Sequence, residues 1–138
     1  MPIPRRALLA LLPLVYLAGC GPPRAQTPGH YALEGTADCL RKGGAKVVLN
    51  QPGSDLVAQS APAGMLSSSR DGKPFRILFG DTQDDAQLMV EGYRRAAPNR
   101  LARRRLRSLL DLEGNALVYW GTEPDAAQAK AVRDCLRG

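Results

Sequence analysis

Apolar positions in this chain recur at two different periods, and the switches between them mark out its elements. After residue 80, Ala86, Met89, Val90, Tyr93 and Ala97 recur at i, i+3, i+4, i+7 and i+11, one stripe of a helical surface. Asp81 or Thr82 can cap that helix, Asp84 and Asp85 suit its positive N-terminal end, Arg94 and Arg95 suit the other end, and Pro98 stops it. Ala129, Val132, Cys135 and Leu136 share one face of a closing helix, with Thr122 as its cap and Pro124 in its first turn. Thr36 caps a first helix that carries Asp38 in its first turn and ends at Gly43-Gly44. Strands are expected at 46–49, at 74–79 with Phe75, Ile77 and Phe79 on one face, and at 116–120. Leu106, Ser108, Leu110 and Leu112 alternate with charged or polar neighbours ahead of Glu113-Gly114-Asn115, so 105–121 predicts a hairpin. Residues 55–59 read as another short strand, and 61–72, rich in Gly, Ser and Pro, as a loop. Strands joined by tight turns imply an antiparallel sheet. With helices packed on one face of it, the expectation is a two-layer α+β sandwich.

The first thirty residues follow neither period. Arg5 and Arg6 precede an apolar run from 7 to 18, the length of a signal-peptide core and short of the roughly 18 or more residues that span a bilayer. It closes on Leu17-Ala18-Gly19-Cys20, which resembles the lipobox of bacterial lipoproteins. That resemblance implies a diacylglyceryl group on the Cys20 sulfur and cleavage by a type II signal peptidase between Gly19 and Cys20. Gly21 stands where an Asp would resemble an inner-membrane retention signal, so outer-membrane delivery is expected where an outer membrane exists. Residues 21–29, with three prolines and two glycines, suit an extended spacer. The expected organisation is a signal peptide over 1–19, a lipidated tether over 20–30 and a single α+β domain over 31–138.

Composition sharpens this picture in two respects. Only 5% of residues are aromatic and there is a single tryptophan, so the core has to be aliphatic and alanine-rich. The formal charge of +6 falls to +4 once Arg5 and Arg6 leave with the leader, a mild basicity that does not by itself imply nucleic acid. Of three cysteines one is taken by lipid, and two in an exported domain are usually paired because the compartment is oxidising, so Cys39 and Cys135 are expected to form a disulfide.

Residues 36–41, 77–81, 114–118 and 132–136 together resemble segments of small exported bacterial proteins of unknown function. Those proteins begin and end with a helix carrying a cysteine-leucine pair, as Cys39-Leu40 and Cys135-Leu136 do here. The resemblance implies no activity, and by analogy it supports the Cys39–Cys135 pairing.

Candidate chemistry is sparse. Ser67, Ser68 and Ser69 fall in the expected loop, but the one histidine, His30, stands in the tether, away from any nucleophile it could serve as base. Asp81, Asp84 and Asp85 could hold a hard cation, and helix capping accounts for the same three carboxylates without one. No glycine-rich phosphate loop occurs. No catalytic residue, metal site or cofactor is therefore assigned. Arg94, Arg95, Arg100, Arg103, Arg104, Arg105 and Arg107 fall in one stretch without an acidic residue. One reading is a solvated helix end, loop and edge strand, where charge blocks sheet-to-sheet aggregation. The other is contact with an anionic surface, either anionic lipid or an acidic envelope protein. The leading expectation is a non-enzymatic, lipid-anchored interaction domain of the cell envelope that does not bind nucleic acid. The alternative is an envelope protein that binds a small ligand or metal ion.

Overall fold

The computed structural model describes residues 27–138. The elements in chain order are α1 (Leu33–Lys42), β1 (Lys46–Leu49), α2 (Leu56–Gln59), β2 (Met65–Arg70), β3 (Lys73–Phe79), α3 (Gln83–Ala96), α4 (Arg100–Leu109), β4 (Leu110–Glu113), β5 (Ala116–Trp120) and α5 (Ala126–Arg137). The strands form one sheet in the order β1-β2-β3-β5-β4, and every neighbouring pair is antiparallel. The α+β class and the antiparallel sheet are as the sequence predicts.

The helices take both faces of that sheet, not one. Side chains alternate along a strand, so Phe75, Ile77 and Phe79 of β3 point one way with Ala116, Val118 and Trp120 of β5. That face packs against Ala37 and Leu40 of α1 and Ala129, Val132 and Leu136 of α5. Leu78 and Leu117 point the other way, where Ala58 of α2 and Ala86, Met89 and Tyr93 of α3 bury them. Both sides of the central strands are apolar, so each needs a cover and the domain has three layers.

Several local expectations are corrected by the chain's own hydrogen bonds. Residues 55–59 are not a strand: the Asp55 side chain accepts from the Ala58 amide and caps α2. Residues 61–72 hold β2, which turns into β3 through Asp71 and Gly72 at φ +51° and +74°, the pair of left-handed residues that suits a two-residue hairpin. The stretch from residue 105 begins as helix and only Leu110 onward is strand, because Asn99 caps α4 by accepting from the Ala102 amide. Thr122 does not cap α5. Pro124 disfavours helical backbone at Glu123, and Asp125 caps instead by accepting from the Gln128 amide at 2.8 Å. The Lys73 ammonium, 2.7 Å from Asp125, together with that amide holds the carboxyl below its usual range. Thr36 lies inside α1, where its buried hydroxyl donates to the Ala32 carbonyl.

Two features tie the ends of the domain to its middle. Cys39 on α1 and Cys135 on α5 are disulfide-bonded, as expected, and the two helices lie side by side over 96 residues of sequence separation. Asn115, in the β4–β5 turn and 1% exposed, holds the incoming chain. Its side-chain oxygen accepts from the Tyr31 amide at 2.6 Å, and its side-chain nitrogen donates to the Gly80 carbonyl at 2.7 Å and the Tyr31 carbonyl at 3.1 Å. Gly114 beside it has φ +52°, and a Cβ there would sit 2.0 Å from the Gly29 oxygen, so only glycine lets the incoming backbone approach. Among the described residues, no helix is long and apolar enough to cross a membrane.

Candidate functional site

Five of the seven arginines of the run come together on α4, while Arg94 and Arg95 stand in the last turn of α3. Within α4, Ala102, Leu106 and Leu109 recur at i, i+4 and i+7 and turn toward the sheet, beside Tyr93, Ala97 and Tyr119. A cleft of about 310 Å³ remains between α4, the end of α3 and the sheet. Arg100, Arg104 and Arg107 recur at the same spacing on the opposite side and point away from the domain. All five arginines of α4 are exposed, none of its residues is buried, and Leu101 stands 67% exposed on its flank. Arg94 pairs with Glu91 at 2.6 Å. Among the described residues, Arg95, Arg100, Arg103, Arg104, Arg105 and Arg107 have no carboxylate within ion-pair distance. Arg94 and Arg95 thus stand at a helix end, as expected, whereas Arg100 to Arg107 belong to a helix and not to a loop and edge strand, so blocking of sheet edges does not account for them.

The second feature is a groove the sequence does not announce. Strand register places Val48, Ser67, Arg76, Tyr119 and Leu110 in one rank across all five strands, on the α2–α3 face. The neighbouring rank of Met65, Leu78 and Leu117 is covered by α2 and α3. Because α2 is only four residues long, the rank with Arg76 is half covered and the sheet beyond it is open. The result is a groove of about 470 Å³ lined by Gln51, Asp55, Ser67, Pro74, Arg76 and Tyr119.

Its polar groups are held from behind. The Asp55 carboxylate, through one oxygen, accepts from the Arg76 guanidinium at 2.5 Å and the Tyr93 hydroxyl at 3.1 Å, while its other oxygen caps α2. The rings of Tyr93 and Tyr119 pack at 4.8 Å between centroids, tilted by 50°. Burial first, then the Asp55 charge and its hydrogen bond, push the Tyr93 phenol well above its ordinary value, so it stays a donor. The Ser67 hydroxyl is buried and has no hydrogen-bond partner among the described residues.

The remaining candidates from the sequence are scattered. Cys20 and residues 1–26, on which the expected leader, lipobox and most of the expected tether fall, lie outside the described residues. His30 is exposed at the start of the fold, far in sequence from the serines, which stand on β2. Asp85 closes a capping box with Thr82 at 2.8 Å, and Asp81 and Asp84 are exposed. No group of three or more metal-ligating side chains gathers among the described residues. Arg76 and Tyr119 escaped sequence reasoning because they sit on the face opposite the Phe75, Ile77 and Phe79 row, the row that marks this part of the sheet in the sequence. The one available signal was Asp71-Gly72, which makes Ser67 a strand residue opposite Arg76. No protein-family model, no curated protein and no solved structure matches this chain.

Proposed function

We propose that this protein is a lipid-anchored, non-enzymatic interaction domain of the cell envelope, held through Cys20 on the extracytoplasmic side of a membrane, with α4 lying against the anionic surface of that membrane. The observation that carries the reading is α4 itself: five arginines in ten residues, an outward row of three, and no carboxylate neutralising any of them among the described residues. A helix whose inner stripe barely seats and whose outer face is cationic suits a charged interface better than a packed core.

The energies are consistent with orientation of a tethered domain. At about 1 kcal/mol per arginine, the outward row contributes about 3 kcal/mol. At physiological salt that is too weak to keep an untethered domain on a membrane, although it suffices for detectable binding at low salt, whereas two or more acyl chains hold a protein stably. Seven peptide steps from Cys20 to Thr27 reach about 25 Å at full extension, so a lipid on Cys20 keeps the domain within range of the surface.

Vesicle binding tests the surface. A form lacking the first twenty residues should bind phosphatidylglycerol vesicles at low salt, ignore phosphatidylcholine, and dissociate near about 0.5 M salt, where the screening length is about 4 Å. Arg100→Gln with Arg104→Gln and Arg107→Gln should weaken that binding by roughly a hundredfold. Equal binding by variant and wild type would refute the role of α4. The anchor has its own test: Cys20→Ala in the full chain should leave precursor uncleaved and free of fatty-acid label, and normal labelling would refute lipidation.

A further inference from the structure

We infer that the groove over Arg76 and Tyr119 binds an uncharged polyhydroxylated ligand, a short saccharide. Three observations converge on that class. The groove of about 470 Å³ falls in the size range of small-molecule sites. Among the described residues the only charged side chains lining it, Asp55 and Arg76, pair at 2.5 Å and cancel. An anion entering the groove meets Asp55 and a cation meets Arg76, so a neutral molecule is favoured over either. The polar lining also mixes roles. Arg76 gives one N–H to Asp55 and retains donors, Asp55 accepts, the Gln51 amide can do both, and the buried, unpartnered Ser67 hydroxyl can do both once it rotates toward the groove. Hydroxyl groups donate and accept in the same way, and the C–H face of a sugar ring packs on an aromatic ring such as Tyr119.

The site is also organised before any ligand arrives. Asp55 is fixed by the Ala58 amide and the Tyr93 hydroxyl, Arg76 by Asp55, and Tyr119 by the Tyr93 ring. Binding therefore loses little side-chain entropy.

The test uses the full chain purified from its membrane fraction in a detergent without a sugar head group. Saturation-transfer NMR is recorded with maltose, lactose and diacetylchitobiose, and with acetate and ethylammonium as charged controls. At least one disaccharide should receive saturation and neither control should. Ser67→Val removes the hydroxyl, keeps a good strand former, and deletes a buried polar atom that has no protein partner. It should weaken disaccharide binding roughly tenfold while leaving the melting temperature unchanged or higher. Gln51→Ala, at an exposed loop position, should weaken it likewise. Absence of saturation in all three sugars, stronger saturation of a charged control, or equal sugar binding by both variants and wild type would each overturn the inference.

Discussion

Asn115 is the residue whose loss should expose the logic of this fold most directly. Replacing it with alanine removes three hydrogen bonds, one from the Tyr31 amide and two to the carbonyls of Tyr31 and Gly80. A typical bond of this kind contributes about 1 kcal/mol net, and an orphaned buried acceptor adds its desolvation cost of about 1–3 kcal/mol. Tyr31 is half-buried and water can replace part of its loss, whereas Gly80 is buried and water cannot. Asn115→Ala should therefore lower the unfolding free energy by about 3–4 kcal/mol, or roughly 15 °C in melting temperature for a domain of this size. The measurement is urea unfolding with the disulfide intact, where the midpoint should shift and the slope should not.

Asn115→Asp separates the hydrogen-bond argument from a mere packing defect. One carboxylate oxygen can still accept from the Tyr31 amide, but the other replaces a donor and faces two carbonyl oxygens. The buried carboxyl should titrate above its ordinary value of about 4, because only its protonated form can donate to Gly80. A group whose folded pKa is raised is least harmful below its unfolded pKa and grows more harmful as pH rises through the folded one. The deficit of Asn115→Asp against wild type should accordingly be small near pH 4 and largest at neutral pH. A loss under about 1 kcal/mol for the alanine variant, or a deficit for the aspartate variant that is flat with pH, would refute the reasoning.

Gly114→Ala should release the same incoming segment without touching the Asn115 side chain, because its Cβ would collide with the Gly29 backbone; hydrogen exchange at the Tyr31 and Asn115 amides would rise. Replacing Cys39 and Cys135 with alanine should lower stability by about 4 kcal/mol through restored chain entropy over the 96-residue separation, measured by denaturation against the oxidised parent. Tyr93→Phe should cost about 1 kcal/mol at neutral pH. Because the folded Tyr93 phenol lies above its unfolded value of about 10, the advantage of wild type is present below that pH and should shrink as pH rises beyond it. A gap that stays constant between about pH 9 and 11 would argue against the Tyr93–Asp55 bond.

The sequence discloses α3 almost completely, since its stripe, capping residues and Pro98 all agree. It misleads where two periods overlap. Leu106 belongs to the Ala102–Leu106–Leu109 helical row and also to the Leu106–Leu110–Leu112 alternation. The strand reading took the second, although Asn99 at the head of a run of strong helix formers favours the first. Strand β2 was hidden because Ser67, Ser68 and Ser69 carry almost no apolar signal, and only the Asp71-Gly72 turn betrays it. A cap read as the first available threonine fails at Thr36 and Thr122 for different reasons. At Thr36 the helix start is set by Asn115, 84 residues away in sequence from Tyr31, and no local pattern contains that contact. At Thr122 the determinant is Pro124, which is local and legible. The arginines were plain from the start, but their side of the molecule depended on knowing that 100–109 is helix. Arg76 and Asp55 meet across 21 residues through strand register and a four-residue helix, neither of which leaves a mark in the sequence.

The two faces of the sheet carry different duties, and the reason lies in where the closure is strongest. On one face α1 and α5 run side by side and are joined by the disulfide. They cover Phe75, Phe79 and Trp120, with Trp120 donating to Asp111 at 2.9 Å. That face holds most of the largest fully buried side chains and the disulfide. The other face is closed only over the Met65–Leu78–Leu117 rank, because α2 stops after four residues and α4 rests on the rim without burying a side chain. A domain with few aromatics could not leave sheet uncovered on both sides and stay folded. Having one face clamped covalently lets the other keep its Arg76 and Tyr119 rank open beside a cationic helix. Tyr119 lines both the α3–α4 cleft and the groove, so the two candidate surfaces share a wall. The disulfide-clamped core and the candidate binding chemistry therefore sit on opposite sides of one five-stranded sheet.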